Sequence, residues 1–167
     1  VSVHVEGKLR RNTAILDSDG KETQINEAGM YVSEEKTKEF ISLFKSELNY
    51  SGEKTVIISG SLPKGMNSDI IRKLCVIAKN SGAYVIADAS GENLKAAVSA
   101  MPDLIKPNLS EFEELIGQKF TEKGEELRRA VLKQALIFYK TKYTAVLCTL
   151  GEDGAVIASA DGNCSVD

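Results

Sequence analysis

Thr55-Val56-Ile57-Ile58 and Tyr84-Val85-Ile86-Ala87, with the run Ser68-Asp69-Ile70-Ile71-Arg72-Lys73-Leu74-Cys75-Val76-Ile77-Ala78 between them, decide the fold. The two short runs are continuously apolar, the pattern of strands buried on both faces of a sheet. In the segment between them Ile70, Ile71, Leu74, Ile77 and Ala78 share one helical face, and Gly82 stands where such a helix stops. Strand, helix and strand at this spacing make a right-handed βαβ unit, and therefore a parallel sheet.

The alternation continues downstream. A short helix is predicted at 92–100, a strand at 103–105, helices at 110–116 and 125–139, and a strand at Ala145-Val146-Leu147-Cys148. The turn Gly151-Glu152-Asp153-Gly154 is too short for a crossover, so 155–158 must return antiparallel. Upstream the period is again helical. Ser33 is placed as an N-cap with Glu34 and Glu35 in the first turn, and Phe40, Phe44 and Leu48 form a stripe widened by Ile41 and Leu43. Before that the chain reads as β. Val1, Val3 and Val5 alternate with polar residues, 12–16 is a second run, Asp17-Ser18-Asp19-Gly20 is a turn and 21–25 its returning partner. The expectation is a small antiparallel sheet with one face to solvent, ahead of a parallel α/β sheet. There is no internal repeat and no low-complexity segment.

The 167 residues, 43% hydrophobic and 27% charged, suit one ordinary domain with a single core. A balance of 24 acidic against 21 basic residues gives no basic field for nucleic acid. No run approaches the ~20 apolar residues of a membrane helix, and no signal or transit pattern is visible. Cys75, Cys148 and Cys164 are widely spaced and odd in number, which argues against a metal pair or a disulfide framework and fits a reducing cytoplasm. Cys75 and Cys148 lie in apolar runs and read as buried thiols. Beginning at Val1 without Met and stopping mid-pattern at Asp167, the chain reads as a piece of something longer.

Ligands of open α/β sheets bind beyond the carboxyl ends of the strands. The segments found there are Ser59-Gly60-Ser61-Leu62-Pro63-Lys64-Gly65, Asp88-Ala89-Ser90-Gly91-Glu92, Lys106-Pro107-Asn108-Leu109-Ser110-Glu111 and Thr149-Leu150-Gly151-Glu152-Asp153-Gly154. Hydroxyls, glycine amides, lysines and carboxylates together suit a phosphorylated ligand with a divalent cation. Each segment also has a plainer reading. The first can be only a turn, Asn108 and Glu111 a capping box, Asp88 a helix cap, and Gly151 and Gly154 hairpin residues.

The ordered set resembles the PfkB (ribokinase-like) carbohydrate kinases, and within them the hexose-phosphate branch of 1-phosphofructokinase and tagatose-6-phosphate kinase. The residues that carry this are Ile58 through Gly65, Asp88 through Glu92, Leu104-Ile105-Lys106-Pro107-Asn108-Leu109-Ser110-Glu111 and Thr149 through Ala155, with Gly7-Lys8-Leu9-Arg10, Glu22-Thr23 and Glu27 upstream. The resemblance implies a ribokinase-like parallel sheet with flanking helices and a small antiparallel β lid, truncated at both ends. It divides the chain into a lid segment, 1–30, and an incomplete kinase core, 31–167. The family's glycine-rich N-terminal segment is absent, as is the Gly-Ala-Gly-Asp motif whose Asp is the catalytic base, so no catalytic residue is assigned within these 167. Thr149 stands where Ser is commoner, which keeps the hydroxyl.

By the same resemblance the activity of the longer parent is ATP-dependent phosphorylation of a ketohexose monophosphate, fructose 1-phosphate or tagatose 6-phosphate, to the bisphosphate. Lys106 and Asn108 face the nucleotide phosphates, with Thr149, Leu150, Gly151 and Gly154 along the nucleotide. Glu111 organises Mg²⁺ through waters, as suits an ion that keeps its hydration shell. Ser59, Gly60 and Ser61 line the sugar-phosphate side. Arg10 in the lid grips the phosphate the substrate already carries, with a guanidinium that matches phosphate oxygens in bidentate fashion. Lids of this family often pair into homodimers, and 1–25 offers an edge for that. The other readings are a non-catalytic module that binds nucleotide or sugar phosphate, and another sugar kinase of the same family. A dinucleotide-binding domain is disfavoured, because no Gly-x-Gly-x-x-Gly follows a strand.

Overall fold

A computed structural model describes residues 2–166 and divides the chain into two compact units, Val1–Glu47 with Leu62–Asn67, and Leu48–Ser61 with Ser68–Asp167.

In the first unit β1 (Asn12–Leu16) and β2 (Glu22–Asn26) pair antiparallel, Asn12 opposite Asn26 and Leu16 opposite Glu22. The Asp17 carboxylate closes the turn by accepting from the backbone N–H groups of Asp19 and Lys21 at 2.9 and 2.8 Å. Glu27 N–H donates to the Arg11 carbonyl at 3.0 Å and extends the ladder by one step. Both faces of this hairpin are exposed, not one as expected. Val3 and Val5 form no strand, and Val1 lies outside the described residues. Alternation predicts a strand only where a neighbour supplies ladder partners, and among the described residues none pairs with 3–5.

Helix α1 (Glu34–Glu47) starts as read: the Ser33 hydroxyl accepts from Lys36 N–H at 3.2 Å. Its apolar stripe buries no residue within the helix, and the Phe40 and Phe44 rings stack at 6.3 Å. Residues 62–67 return to its start, where Val32 N–H donates to the Lys64 carbonyl at 2.8 Å. Gly65 makes this possible. It has φ +92°, and a side chain there would collide with the Val32 carbonyl oxygen and lie 2.8 Å from the Tyr31 ring.

The second unit holds β3 (Thr55–Ser59), α2 (Asp69–Asn80), β4 (Tyr84–Asp88), α3 (Gly91–Ser99), β5 (Leu104–Ile105), α4 (Leu109–Ile116), α5 (Gly124–Lys142), β6 (Ala145–Thr149), β7 (Ala155–Ala158) and β8 (Asn163–Val166). They build one sheet in the order β3-β4-β5-β6-β7-β8. The pairs from β3 to β6 are parallel, with Ser59 opposite Asp88, Ala87 opposite Ile105, and Ile105 opposite Val146. The last two pairs are antiparallel. The α/β class and element order follow the sequence reading, with β8 added. Helix α2 packs on β3 and β4, α3 lies between α2 and α4, and α5 covers β6 and β7. Val85, Ala87, Ile105, Val146 and Cys148 are fully buried, and Phe112 meets Phe138 edge to face at 6.2 Å.

Strand β3 departs from expectation. Its run looks buried on both faces, yet only the Ile58 face is covered, and Ile57 on the opposite face of this edge strand is 65% exposed. Cys75 and Cys148 are buried as read; burial pushes their thiols up to about 11 and about 12, the charges of Glu111 and Glu113 adding to the second. Cys164 is exposed.

Candidate functional site

Because β3 to β6 run parallel, their carboxyl ends share one rim. There a cleft of about 300 Å³ is lined by Ser59, Gly60, Ser61, Asp88, Ala89, Ser90 and Glu111. Three segments singled out in the sequence thus meet in one place. Gly60, at φ +92°, turns the chain out of β3. Asp88 ends β4, and it is not a helix cap: Ser90 occupies the N-cap position of α3. Its carboxylate instead pairs with the Lys106 ammonium at 3.2 Å and accepts from the Ser59 hydroxyl at 3.3 Å.

Lys106 follows β5 directly and continues its ladder, its N–H donating to the Ala87 carbonyl at 3.0 Å. Two residues on, Asn108 caps α4. Its side chain accepts from Glu111 N–H at 2.9 Å, and the Glu111 carboxylate accepts from Asn108 N–H at 2.9 Å. The capping box is therefore real, and Glu111 lines the cleft while closing it. The same segment is stitched to β6: Thr149 N–H donates to the Pro107 carbonyl at 3.0 Å, and Asn108 and Thr149 form a parallel bridge. This places the lysine, the cap and the Thr149 hydroxyl on adjoining strand ends.

After Thr149 the chain makes a 3₁₀ turn at Gly151–Asp153. Leu150, buried, donates through its N–H to the Gly154 carbonyl at 2.7 Å. Gly154 sits at φ 85°, ψ −135°, a region that side chains other than hydrogen rarely enter. The turn is braced from behind, the Asp153 carboxylate accepting from Gly124 N–H at 2.9 Å at the start of α5. Nothing in the spacing of Gly124 and Asp153 along the sequence announces that brace. In the hairpin unit, Arg10 is exposed and donates through Nε to the Asn12 side chain at 2.9 Å, with Gly29 leaving room beside its Cβ.

The donor set fits a magnesium-bound nucleotide in one respect. Mg²⁺ takes few protein carboxylates, and the cleft offers that of Glu111, while the Asp88 carboxylate is engaged by Lys106 and Ser59. Among the described residues no three His, Cys, Asp or Glu side chains group to hold a metal by themselves. No helix among them is long and apolar enough to cross a membrane.

The model of the pfkB family carbohydrate kinases matches residues 1–167. The chain belongs to this family. The tagatose-6-phosphate kinase of Staphylococcus epidermidis is 32% identical over 157 residues, which is 90% of this chain and 47% of that protein. Among solved structures, a mutant of the phosphofructokinase-2 of Escherichia coli superposes with a TM-score of 0.76 at 25% identity, over 93% of this chain and 49% of that one. A possible 1-phosphofructokinase of Thermotoga maritima superposes at 0.74 and 23% identity, over 96% and 49%, a likeness of fold alone. The fold of this pfkB-family chain is thus ribokinase-like, a mixed six-stranded sheet with flanking helices and a small antiparallel sheet. The chain spans about half the length of the relatives it matches.

Proposed function

We propose that this chain supplies the nucleotide rim, part of the sugar site and the lid of an ATP-dependent kinase that converts a ketohexose monophosphate to its bisphosphate. The observation that carries the reading is the shared cleft. Ser59, Gly60, Ser61, Asp88 and Glu111 line one cavity beyond the parallel strands, with Lys106 held at its edge. The likeness to a tagatose-6-phosphate kinase supports the substrate class.

Phosphoryl transfer asks for positioning and charge neutralisation more than covalent work. Lys106 and the Asn108 side chain meet the nucleotide phosphates. The turn Leu150–Gly154, braced by Asp153, lays backbone against the nucleotide where side chains are absent, with the Thr149 hydroxyl beside it. Glu111 holds the hydrated cation, and bound Mg²⁺ supplies neutralisation of phosphate charge. Ser59, Gly60 and Ser61 line the sugar side. Arg10 takes the phosphate the sugar already carries. Residues 1–30 act as the lid and 31–167 as the core. Ile15 and Ile25, half-exposed on one face of the hairpin, support pairing of two lids in a homodimer. A cytoplasmic setting suits these free thiols and this chemistry.

The test is a panel of ketohexose monophosphates and free ketohexoses offered to the full-length protein with Mg²⁺ and ATP. Formation of a bisphosphate and ADP in equal amounts is expected. ATP binding without turnover of any sugar phosphate would favour a non-catalytic binding module.

A further inference from the structure

The sequence motifs leave Asp88 without a task, and α3 does not use it as a cap. Yet it occupies the centre of the rim. Ser59 is the last residue of β3, Asp88 the last of β4, and Lys106 directly follows β5. One carboxylate oxygen of Asp88 accepts from the Ser59 hydroxyl at 3.3 Å, and the other lies 3.2 Å from the Lys106 ammonium. A single side chain thus ties together three strand ends at the mouth of the cleft it lines.

We propose that Asp88 is a positioning residue that aims Lys106 at the nucleotide phosphates. The inference rests on the kinase reading above and adds a residue to it. A lysine has a flexible four-carbon stem and three donors on one nitrogen. A donor spent on Asp88 fixes the direction of the stem and leaves two for phosphate oxygens. The pair is more than a third exposed on both sides, so it adds little to stability, and what it supplies is geometry. The Ser59 hydroxyl steadies the carboxylate from the opposite side, which ties the lysine's aim to the position of the Ser59–Ser61 segment.

Groups that act as one unit lose their effect together, and groups that act separately lose it additively. The experiment is therefore a double-mutant cycle in the full-length protein, reading the calorimetric Kd of ATP with Mg²⁺ and the turnover of the best sugar phosphate. Asp88→Asn should weaken ATP binding about tenfold beside Lys106 and less than twofold in a Lys106→Met background. Asp88→Glu should recover part of the loss, and thermal unfolding of all variants should agree within a few degrees. An equal loss in both backgrounds would overturn the proposal. So would a raised Mg²⁺ requirement in both, which would place Asp88 on the cation instead. If wild type binds ATP and the cycle is non-additive but no sugar phosphate turns over, the positioning role stands and the kinase reading falls. If wild type binds no ATP, both fall.

Discussion

Gly65 shows how a residue can be legible as a type and illegible as a role. In the sequence it follows Pro63-Lys64 and reads as turn punctuation. In the structure its missing side chain lets 62–67 lie against Tyr31 and Val32. Gly65→Ala must therefore strain the backbone and collide with a carbonyl oxygen, at a cost of ~1–3 kcal/mol or more. Denaturant unfolding should show that loss; a variant as stable as wild type would mean that the segment does not hold its place in solution. Glu111 is the opposite case, since both of its sequence readings point to one position. Glu111→Gln can still close the capping box with Asn108 but carries no charge. Unchanged stability with a higher Mg²⁺ requirement in the full-length protein is expected. Early melting with an unchanged Mg²⁺ titration would leave capping as its whole role.

Elements are legible wherever period and punctuation agree. The stripe of α2 with Gly82 after it, and the capping box of α4, mark those helices within a residue or so of their observed ends. Strands are misread where the deciding fact is a neighbour. Val3 and Val5 alternate but have no ladder partner among the described residues, and β3 is apolar but is an edge strand covered on one face only. Strand β8 (Asn163–Val166) alternates polar and apolar over only four residues, too short a signal to stand alone, and it pairs because β7 offers a free side. The turn after β6 carries a prediction at this scale. Gly154→Val cannot hold φ 85°, ψ −135° without strain, so the KM for ATP should rise while sugar-phosphate affinity is kept. Equal weakening toward both substrates would indicate a general folding defect. The loop after α4 carries another. Glu113, buried, accepts from the Lys119 ammonium at 2.7 Å and from Phe120 N–H at 2.8 Å. The Lys119 hydrogen bond, then the Phe120 N–H, hold its carboxyl below the ordinary value of 4.5. A depressed carboxylate stabilises the fold above its unfolded pKa and loses that contribution as pH falls through the folded one. Wild type should thus exceed Glu113→Gln in stability at neutral pH, the gap closing as pH falls below about 4. A gap that persists into strong acid would refute the ion pair as its source.

At the scale of the molecule, the parallel order β3-β4-β5-β6 is foreseeable from strand–helix spacing, and with it the rim on which the motifs converge. Tertiary ties are not: the Asp153 brace on α5 and the Asp88 link between three strands join residues that no local pattern connects. Membership of the pfkB family accounts for the ordered set of rim motifs, and the chain's coverage of about half of its relatives makes the full-length protein the proper object of kinetic tests. The central claim is that the whole protein acts on a sugar that already bears a phosphate, and Arg10 is where that claim meets one side chain. A charge-assisted contact to phosphate is worth about 1.5–3 kcal/mol, and each ~1.4 kcal/mol is tenfold in an equilibrium constant. The measurement is kcat/KM for a ketohexose monophosphate and for the unphosphorylated ketohexose, in wild type and in Arg10→Ala. The account predicts a fall of roughly ten- to a hundredfold for the phosphorylated sugar alone, with the KM for ATP nearly unmoved and Arg10→Lys rescuing only in part. Equal loss for both sugars, or no loss for either, would contradict it.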